Sequence, residues 1–277
     1  MTIFHVLIHA IIQGFAELLP VSSSAHVIVA EKLMGFDPSA ADMTFLLVML
    51  HTGTMFAVIV YFWKSWRTTY FSSWDRFKKQ AWFVILATGI TGVLGLALQS
   101  MIKHVFFAGA SHFEIEQLFS NSKLMAAALA SAGVLIILSS RLDRGQVGDV
   151  TMKSAAWIGA VQALCLPFRG FSRSGATIST GLFLGVARQK AEEFSFALAV
   201  VLTPAVIVKE LYRLLHAENF QNIHLAQLLL PSMFGMLFSF IAGLVALKWL
   251  SSWLEHGRWH FFGIYCLVFS GVVLLIG

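Results

Sequence analysis

Hydrophobic residues recur in long runs from one end of this chain to the other. A helix needs about 20 apolar residues, or somewhat fewer, to cross a bilayer's hydrocarbon. Six runs reach that length or come near it: Phe45–Trp63, Ala81–Leu98, Leu124–Ser139, Phe194–Leu214, Leu225–Leu247 and Trp259–Ile276. Each predicts a transmembrane helix. Two further regions are apolar but interrupted. In Thr2–Gly35 a helical run stops at Leu19-Pro20, passes through Val21-Ser22-Ser23-Ser24 and resumes at His26. In Ala155–Gly185 a run stops at Leu166-Pro167, passes through Phe168-Arg-Gly-Phe-Ser-Arg-Ser-Gly175 and resumes at Ile178. Neither half of either region is long enough to span. Interrupted apolar segments at matching places in two halves of a chain predict re-entrant hairpins.

Composition agrees. Of 277 residues, 58% are hydrophobic and 12% charged, where a soluble domain carries about 25% charged residues. Short segments alternating apolar and polar, the mark of a β-barrel, do not appear. The expected class is therefore an all-α polytopic membrane protein. The N-terminal run has no Lys or Arg and no small-residue cleavage site after it, so it reads as part of the mature protein. Cys165 and Cys266, the two cysteines, sit in apolar surroundings and predict neither a disulfide nor a cysteine metal site.

The formal charge of +5 points to topology rather than nucleic acid. Lys64, Arg67, Arg76, Lys78 and Lys79 fall in one link, Arg141, Arg144 and Lys153 in another, Arg188 and Lys190 in a third, with Lys248 and Arg258 before the last span. The intervening links carry Asp37 and Asp42, then Glu114 and Glu116, then Glu218. Basic links belong in the cytoplasm, which puts both termini outside; Lys103, Lys209 and Arg213 fit this threading less well. The halves also resemble each other. Phe45–Val60 parallels Phe196–Val208, and both are preceded by a Gln, a Pro, a serine cluster and a Leu-Gly or Leu-x-Gly turn. One hairpin plus three spans per half, about 1–140 and 150–277 within a single membrane domain, makes an inverted repeat whose broken tips meet near the midplane.

Those tips hold the candidate chemistry. Gln13 and Glu17 are four apart and share a helix face. Glu17 lies in an apolar run, where a carboxylate needs a cation, a metal or its own proton unless it snorkels to the interface. Ser22, Ser23 and Ser24 follow, then His26, which reads either as a hydrogen-bonded core histidine or as the base for a hydroxyl nucleophile. The second tip supplies Gly170, Ser172, Arg173, Ser174, Gly175 and Thr177. Glycines and hydroxyls before a helix let backbone N–H groups converge on an anion, and Arg173 adds a planar fork for phosphate oxygens. A tight turn whose arginine merely pairs with Glu17 is the structural alternative. Arg169 reads either as a ligand contact or as a residue reaching the headgroups. A phosphate site at membrane depth implies a substrate with its own lipid tail.

Gln13-Gly-Phe-Ala-Glu17-Leu-Leu-Pro-Val-Ser-Ser-Ser-Ala-His26 and Gly170-Phe-Ser-Arg-Ser-Gly-Ala-Thr177 resemble the two signatures of the bacterial undecaprenyl pyrophosphate phosphatase family, also called bacitracin resistance proteins. Those signatures are Glu/Gln-x-x-x-Glu and Pro-Gly-x-Ser-Arg-Ser-x-x-Thr. The similarity continues through Glu193-Phe-Ser-Phe and covers most of the chain. It implies release of the terminal phosphate of C55 polyprenyl pyrophosphate, giving the carrier lipid of peptidoglycan synthesis. By position it implies Ser23 as nucleophile, His26 as the motif histidine, Arg173 as the phosphate-binding arginine, and Gln13 and Glu17 as the acidic motif. Ser22, Ser24, Ser172, Ser174 and Thr177 match lining hydroxyls. It further implies stimulation by a divalent cation, Mg²⁺ or Ca²⁺, with Glu17 a candidate ligand. The implied fold has six spans and four re-entrant helices, in the inner membrane, with the site open to the periplasm. Two positions depart from the pattern: Gln13 stands at the first acidic position, and Arg169 stands where a Pro is expected, with Pro167 two residues earlier.

A second reading is a transporter or flippase for the lipid monophosphate, since inverted repeats with broken helices are typical of transporters. The Glu17, Ser23 and His26 set separates the two, because carriage alone needs no nucleophile and base. A lipid phosphatase attacking through histidine is excluded: after Ser172-Arg173 no His appears before His216, and no Asp follows. A purely structural protein gives no account of two polar clusters in interrupted helices. The residues carry no signal of oligomeric state; a homodimer is compatible with them.

Overall fold

The computed structural model describes residues 2–35, 41–106, 121–143, 145, 147–215 and 225–276. Asp37, Glu114, Glu116, Arg144, His216 and Glu218 lie outside the described residues, as do the side chains of Asp42, Lys209 and Arg213, so most of the acidic-link evidence for orientation falls there. With no water in hydrocarbon, backbone groups must pair within their own segment, and every apolar run is helical. The described residues form ten helices: α1 (Ile3–Leu18), α2 (Ser23–Met34), α3 (Ala41–Thr69), α4 (Trp74–Phe106), α5 (Ser122–Leu142), α6 (Met152–Leu164), α7 (Arg173–Phe183), α8 (Arg188–Leu215), α9 (Leu225–Glu255) and α10 (His260–Ile276).

Five of these, α3, α4, α5, α8 and α9, contain stretches long and apolar enough to cross a membrane, which makes this a multi-pass membrane protein. The sixth expected span, Trp259–Ile276, is the shorter apolar helix α10 of 17 residues. Several helices outrun the expected spans. Arg76, Lys78 and Lys79, read as a link, lie in the first turns of α4, and Lys64 and Arg67 in the last turns of α3. Long basic side chains can remain helical beyond the hydrocarbon because their stems lie along apolar surface while their charges stay wet. Lys78 accordingly sits over the Trp74 ring at 5.3 Å and Lys79 over Phe83 at 5.8 Å. On α8 the helix starts six residues before Phe194, enclosing Glu192 and Glu193, which accept hydrogen bonds of 2.5 Å from Ser251 and Ser65.

Both expected interruptions are present as a short helix, a break and a second short helix: α1 and α2 around Leu19–Ser22, α6 and α7 around Cys165–Ser172. The first helix of each pair packs on a long helix of the other half, α1 on α9 and α6 on α4. Small residues allow these close crossings. A Cβ on Gly14 would meet Ala242 Cβ at 2.5 Å and the Ser239 carbonyl at 2.8 Å. Where α6 meets α4, Thr91 donates to the Gly159 carbonyl and accepts from Gln162. Buried Trp259 donates to Ser139 and Ser179, tying α10 to α5 and α7.

Candidate active site

α1 holds Gln13 and Glu17 on one face, and Gln13 Nε2 donates to Glu17 Oε2 at 3.3 Å. The helix ends because Pro20 has no N–H and disfavours helix at the residue before it; Leu19 is extended. Ser22 then takes φ 68°, ψ 98°, a region that favours glycine and costs other residues on the order of 1–3 kcal/mol. That turn starts α2 at Ser23, whose hydroxyl folds back to donate to Glu17 Oε2 at 2.5 Å. Ser22 is buried and Ser24 half-buried beside it.

The second break delivers Arg173. Gly170, at φ 102°, would set a Cβ against the backbone carbonyl of Met125, so its glycine is required by close approach to α5. Ser172 caps α7 by accepting from the Gly175 amide at 3.2 Å. Arg173, the first residue of α7, donates from one Nη to Glu17 Oε1 at 3.2 Å. Its other terminal nitrogen, Nη1, is buried and finds no partner among the described residues. The first residues of α2 and α7 thus meet on one carboxylate, and the positive ends of two helices face the same space.

Several expected phosphate-lining groups are engaged inside the protein. Ser174 donates to the Leu19 carbonyl at 3.3 Å, joining the two breaks. Thr177 donates to the Arg173 carbonyl at 2.8 Å and lies 2.6 Å from Ser195. A Cβ on Gly175 would meet Ile136 at 2.9 Å. Arg169 lies on the exposed side of the second break.

His26 is turned differently from the expectation of a base for the serine. Its Nδ1 pairs with the Ser22 carbonyl at 2.9 Å and its Nε2 with the Tyr265 hydroxyl at 2.7 Å. Its ring stacks on Phe269 at 3.9 Å. The acceptor that meets the Ser23 hydroxyl is Glu17. One residue enters the cluster unforeseen: His51 on α3, whose Nδ1 donates to the Leu47 carbonyl at 2.8 Å and whose Nε2 faces Glu17 Oε2 at 3.9 Å. A histidine inside the apolar run Phe45–Trp63 was the available signal, since ionisable groups at membrane depth are rare and functional. No group of three His, Cys, Asp or Glu that could hold a metal occurs among the described residues.

The arrangement offers a hydroxyl against a carboxylate, an arginine with a donor to spare and two helix N-termini, which together suit a phosphoryl group. Residues 6–272 match the family described as Bacitracin resistance protein BacA. Undecaprenyl-diphosphatase 2 of Acinetobacter baylyi is 77% identical over 280 residues, spanning 100% of this chain and 98% of the relative. Undecaprenyl-diphosphatase of Desulfosudis oleivorans is 35% identical over 96% of each chain. That of Methanobrevibacter smithii is 30% identical over 100% of this chain and 98% of its own.

Proposed function

Because the chain belongs to the bacitracin resistance protein BacA family, we propose that the Glu17–Ser23–Arg173 cluster is where it splits a polyprenyl pyrophosphate. The protein is an undecaprenyl-diphosphatase, a hydrolase that converts undecaprenyl pyrophosphate to undecaprenyl phosphate and inorganic phosphate. Family membership and the Ser23–Glu17 contact favour hydrolysis over the transport reading. The observation that carries the site is the buried Nη1 of Arg173, without a partner among the described residues, beside a serine bonded to a carboxylate. An arginine with one donor pairing Glu17 and another unpaired is prepared to take a phosphate oxygen.

In this reading the terminal phosphoryl group lies between the N-termini of α2 and α7. Ser23 Oγ attacks phosphorus and its proton passes to Glu17. The phosphoanhydride P–O bond breaks, and undecaprenyl phosphate leaves. Water then cleaves the serine phosphate. Arg173 and backbone amides at the two helix starts stabilise the charge on the transferring group. Gln13 and His51 hold the Glu17 carboxylate in place, while His26, stacked between α2 and α10, fixes the direction of α2. Ser22, Ser24, Ser172, Ser174, Gly170, Gly175 and Thr177 shape the two tips.

A divalent cation, Mg²⁺ or Ca²⁺, belongs to the same proposal. Hard cations take oxygen ligands, and Mg²⁺ is commonly held by one or two carboxylates plus substrate phosphates. Glu17 is the one carboxylate of the cluster and its oxygens already meet Gln13, Ser23 and Arg173. Such an ion would take most of its ligands from pyrophosphate and water, and would supply charge neutralisation. The proposed topology is six spans with two re-entrant hairpins in an inverted repeat, in the bacterial inner membrane, with the site open to the outer side. The paired interruptions, the reciprocal α1–α9 and α6–α4 crossings and the basic ends of α3 and α4 support it.

The test is phosphate release from C55 pyrophosphate in detergent by the wild type, Ser23→Ala and Arg173→Ala, with and without Mg²⁺ or Ca²⁺. Losses of about 10²-fold or more in both variants are expected. Near-wild-type turnover by Ser23→Ala would replace the covalent route with direct attack by water. Near-wild-type turnover by Arg173→Ala would sink the assignment of the site.

A further inference from the structure

Where α3 turns into α4 lies an apolar groove of about 580 Å³. That volume falls within the roughly 300–1,000 Å³ of ordinary ligand pockets. One wall is a single face of α4: Phe77, Ala81, Val84, Ile85, Thr88 and Gly89. At 1.5 Å per residue these positions run for about 18 Å along the helix, the reach of one fatty-acyl chain rather than of a C55 prenyl tail. Trp66 on α3 closes the opposite side near the turn, and Val200 and Val201 of α8 form part of the remaining wall.

Two polar atoms break this apolar lining. Trp66 Nε1 and Thr88 Oγ1 are buried without a partner among the described residues. A buried indole N–H normally finds an acceptor, and leaving such a donor unpaired is destabilising. Trp66 stands only about one turn before the α3–α4 link. That is the depth at which tryptophans meet the ester and headgroup layer of a membrane, so an ester carbonyl would reach its N–H. The Thr88 hydroxyl lies about three turns deeper, beside the methylenes of the chain. Around the groove mouth the stretch 64–79 carries Lys64, Arg67, Arg76, Lys78 and Lys79 against the single acid Asp75. Such clusters draw anionic lipid.

We propose that this groove is a binding site for one anionic glycerophospholipid, separate from the Glu17–Ser23–Arg173 cluster. One acyl chain lies along α4, an ester carbonyl accepts from Trp66, and the headgroup phosphate sits among the basic residues at the ends of α3 and α4. The occupant is a structural lipid of the leaflet on the basic side, and its recognition does not depend on the phosphatase chemistry.

The test is native mass spectrometry of the full chain, delipidated and then titrated separately with dioleoyl-phosphatidylglycerol and dioleoyl-phosphatidylcholine. A Cβ on Gly89 meets nothing within 4 Å, so Gly89→Leu can place a side chain in the groove it lines; Trp66→Phe removes the N–H while keeping an aromatic ring. One phosphatidylglycerol retained in preference to phosphatidylcholine is expected. Gly89→Leu should abolish that adduct, and Trp66→Phe should weaken it roughly fivefold, the effect of one hydrogen bond. Unchanged phosphate release by Gly89→Leu confirms that the variant is folded. An adduct retained by folded Gly89→Leu overturns the proposal, as does equal retention of phosphatidylcholine. Displacement of phosphatidylglycerol by an equimolar polyprenyl phosphate would also overturn it, by giving the groove to the prenyl lipid.

Discussion

Glu17 accepts from Gln13, Ser23 and Arg173 while His51 faces it at 3.9 Å, so one carboxylate organises every group proposed to act. Three of its partners were legible as residue types in the two motifs; His51 lies in neither motif, and only folding sets it against α1. The same limit explains His26. Its place two residues after the serine cluster suggested a base, but the ring is held by the Ser22 carbonyl, the Tyr265 hydroxyl and the Phe269 ring, the last two from α10, which the motif does not contain. Ser22 gives a test at this scale. With φ at 68°, Ser22→Gly should relieve strain and raise stability by about 1 kcal/mol, read as a higher thermal midpoint in detergent. Turnover should stay within a few-fold. A 10²-fold loss of turnover in a stable Ser22→Gly protein would instead place the Ser22 hydroxyl on the phosphate.

At the scale of elements, both interruptions were readable because Pro20 and Pro167 punctuate apolar runs. Helix ends were not. α4 and α8 run beyond their expected bounds because basic stems and buried Glu–Ser pairs let charged residues stay helical. What holds α1 at the height where Glu17 meets Arg173 is its crossing with α9 at Gly14, where no Cβ fits. Gly14→Ala should therefore push the helices apart, costing about 1–3 kcal/mol through overpacking. It should also lower turnover tenfold or more, since Glu17 is less than one turn away. Thermal denaturation followed by phosphate release checks both effects. Full activity with an unchanged midpoint would mean that the crossing does not set the height of Glu17.

For the molecule as a whole, orientation rests on where the basic helix ends face. Cysteines introduced as Phe4→Cys and Lys78→Cys, in a chain with Cys165 and Cys266 replaced by serine, should label from opposite sides of sealed vesicles. Phe4→Cys should react with a membrane-impermeant thiol reagent from the outer side and Lys78→Cys from the cytoplasmic side. Labelling of both from one side would contradict the proposed threading and with it the side on which the site opens.

Length and apolarity of the runs determined by themselves that this chain is a helical membrane protein. Hydrocarbon leaves unpaired backbone no other partner, so composition and element type are coupled there. The two motifs likewise pointed to a phosphate site, since hydroxyls, a guanidinium and helix N-termini together suit an anion. Only the tertiary structure decided which of these groups touch. Ser23 meets Glu17 because of a left-handed backbone at Ser22, and Arg173 reaches Glu17 where Ser174 ties the second break to the first and Gly170 lets it pack close on α5. Contacts between residues more than a hundred positions apart depend on helix crossings, and those depend on where a glycine removes a side chain rather than on any local pattern.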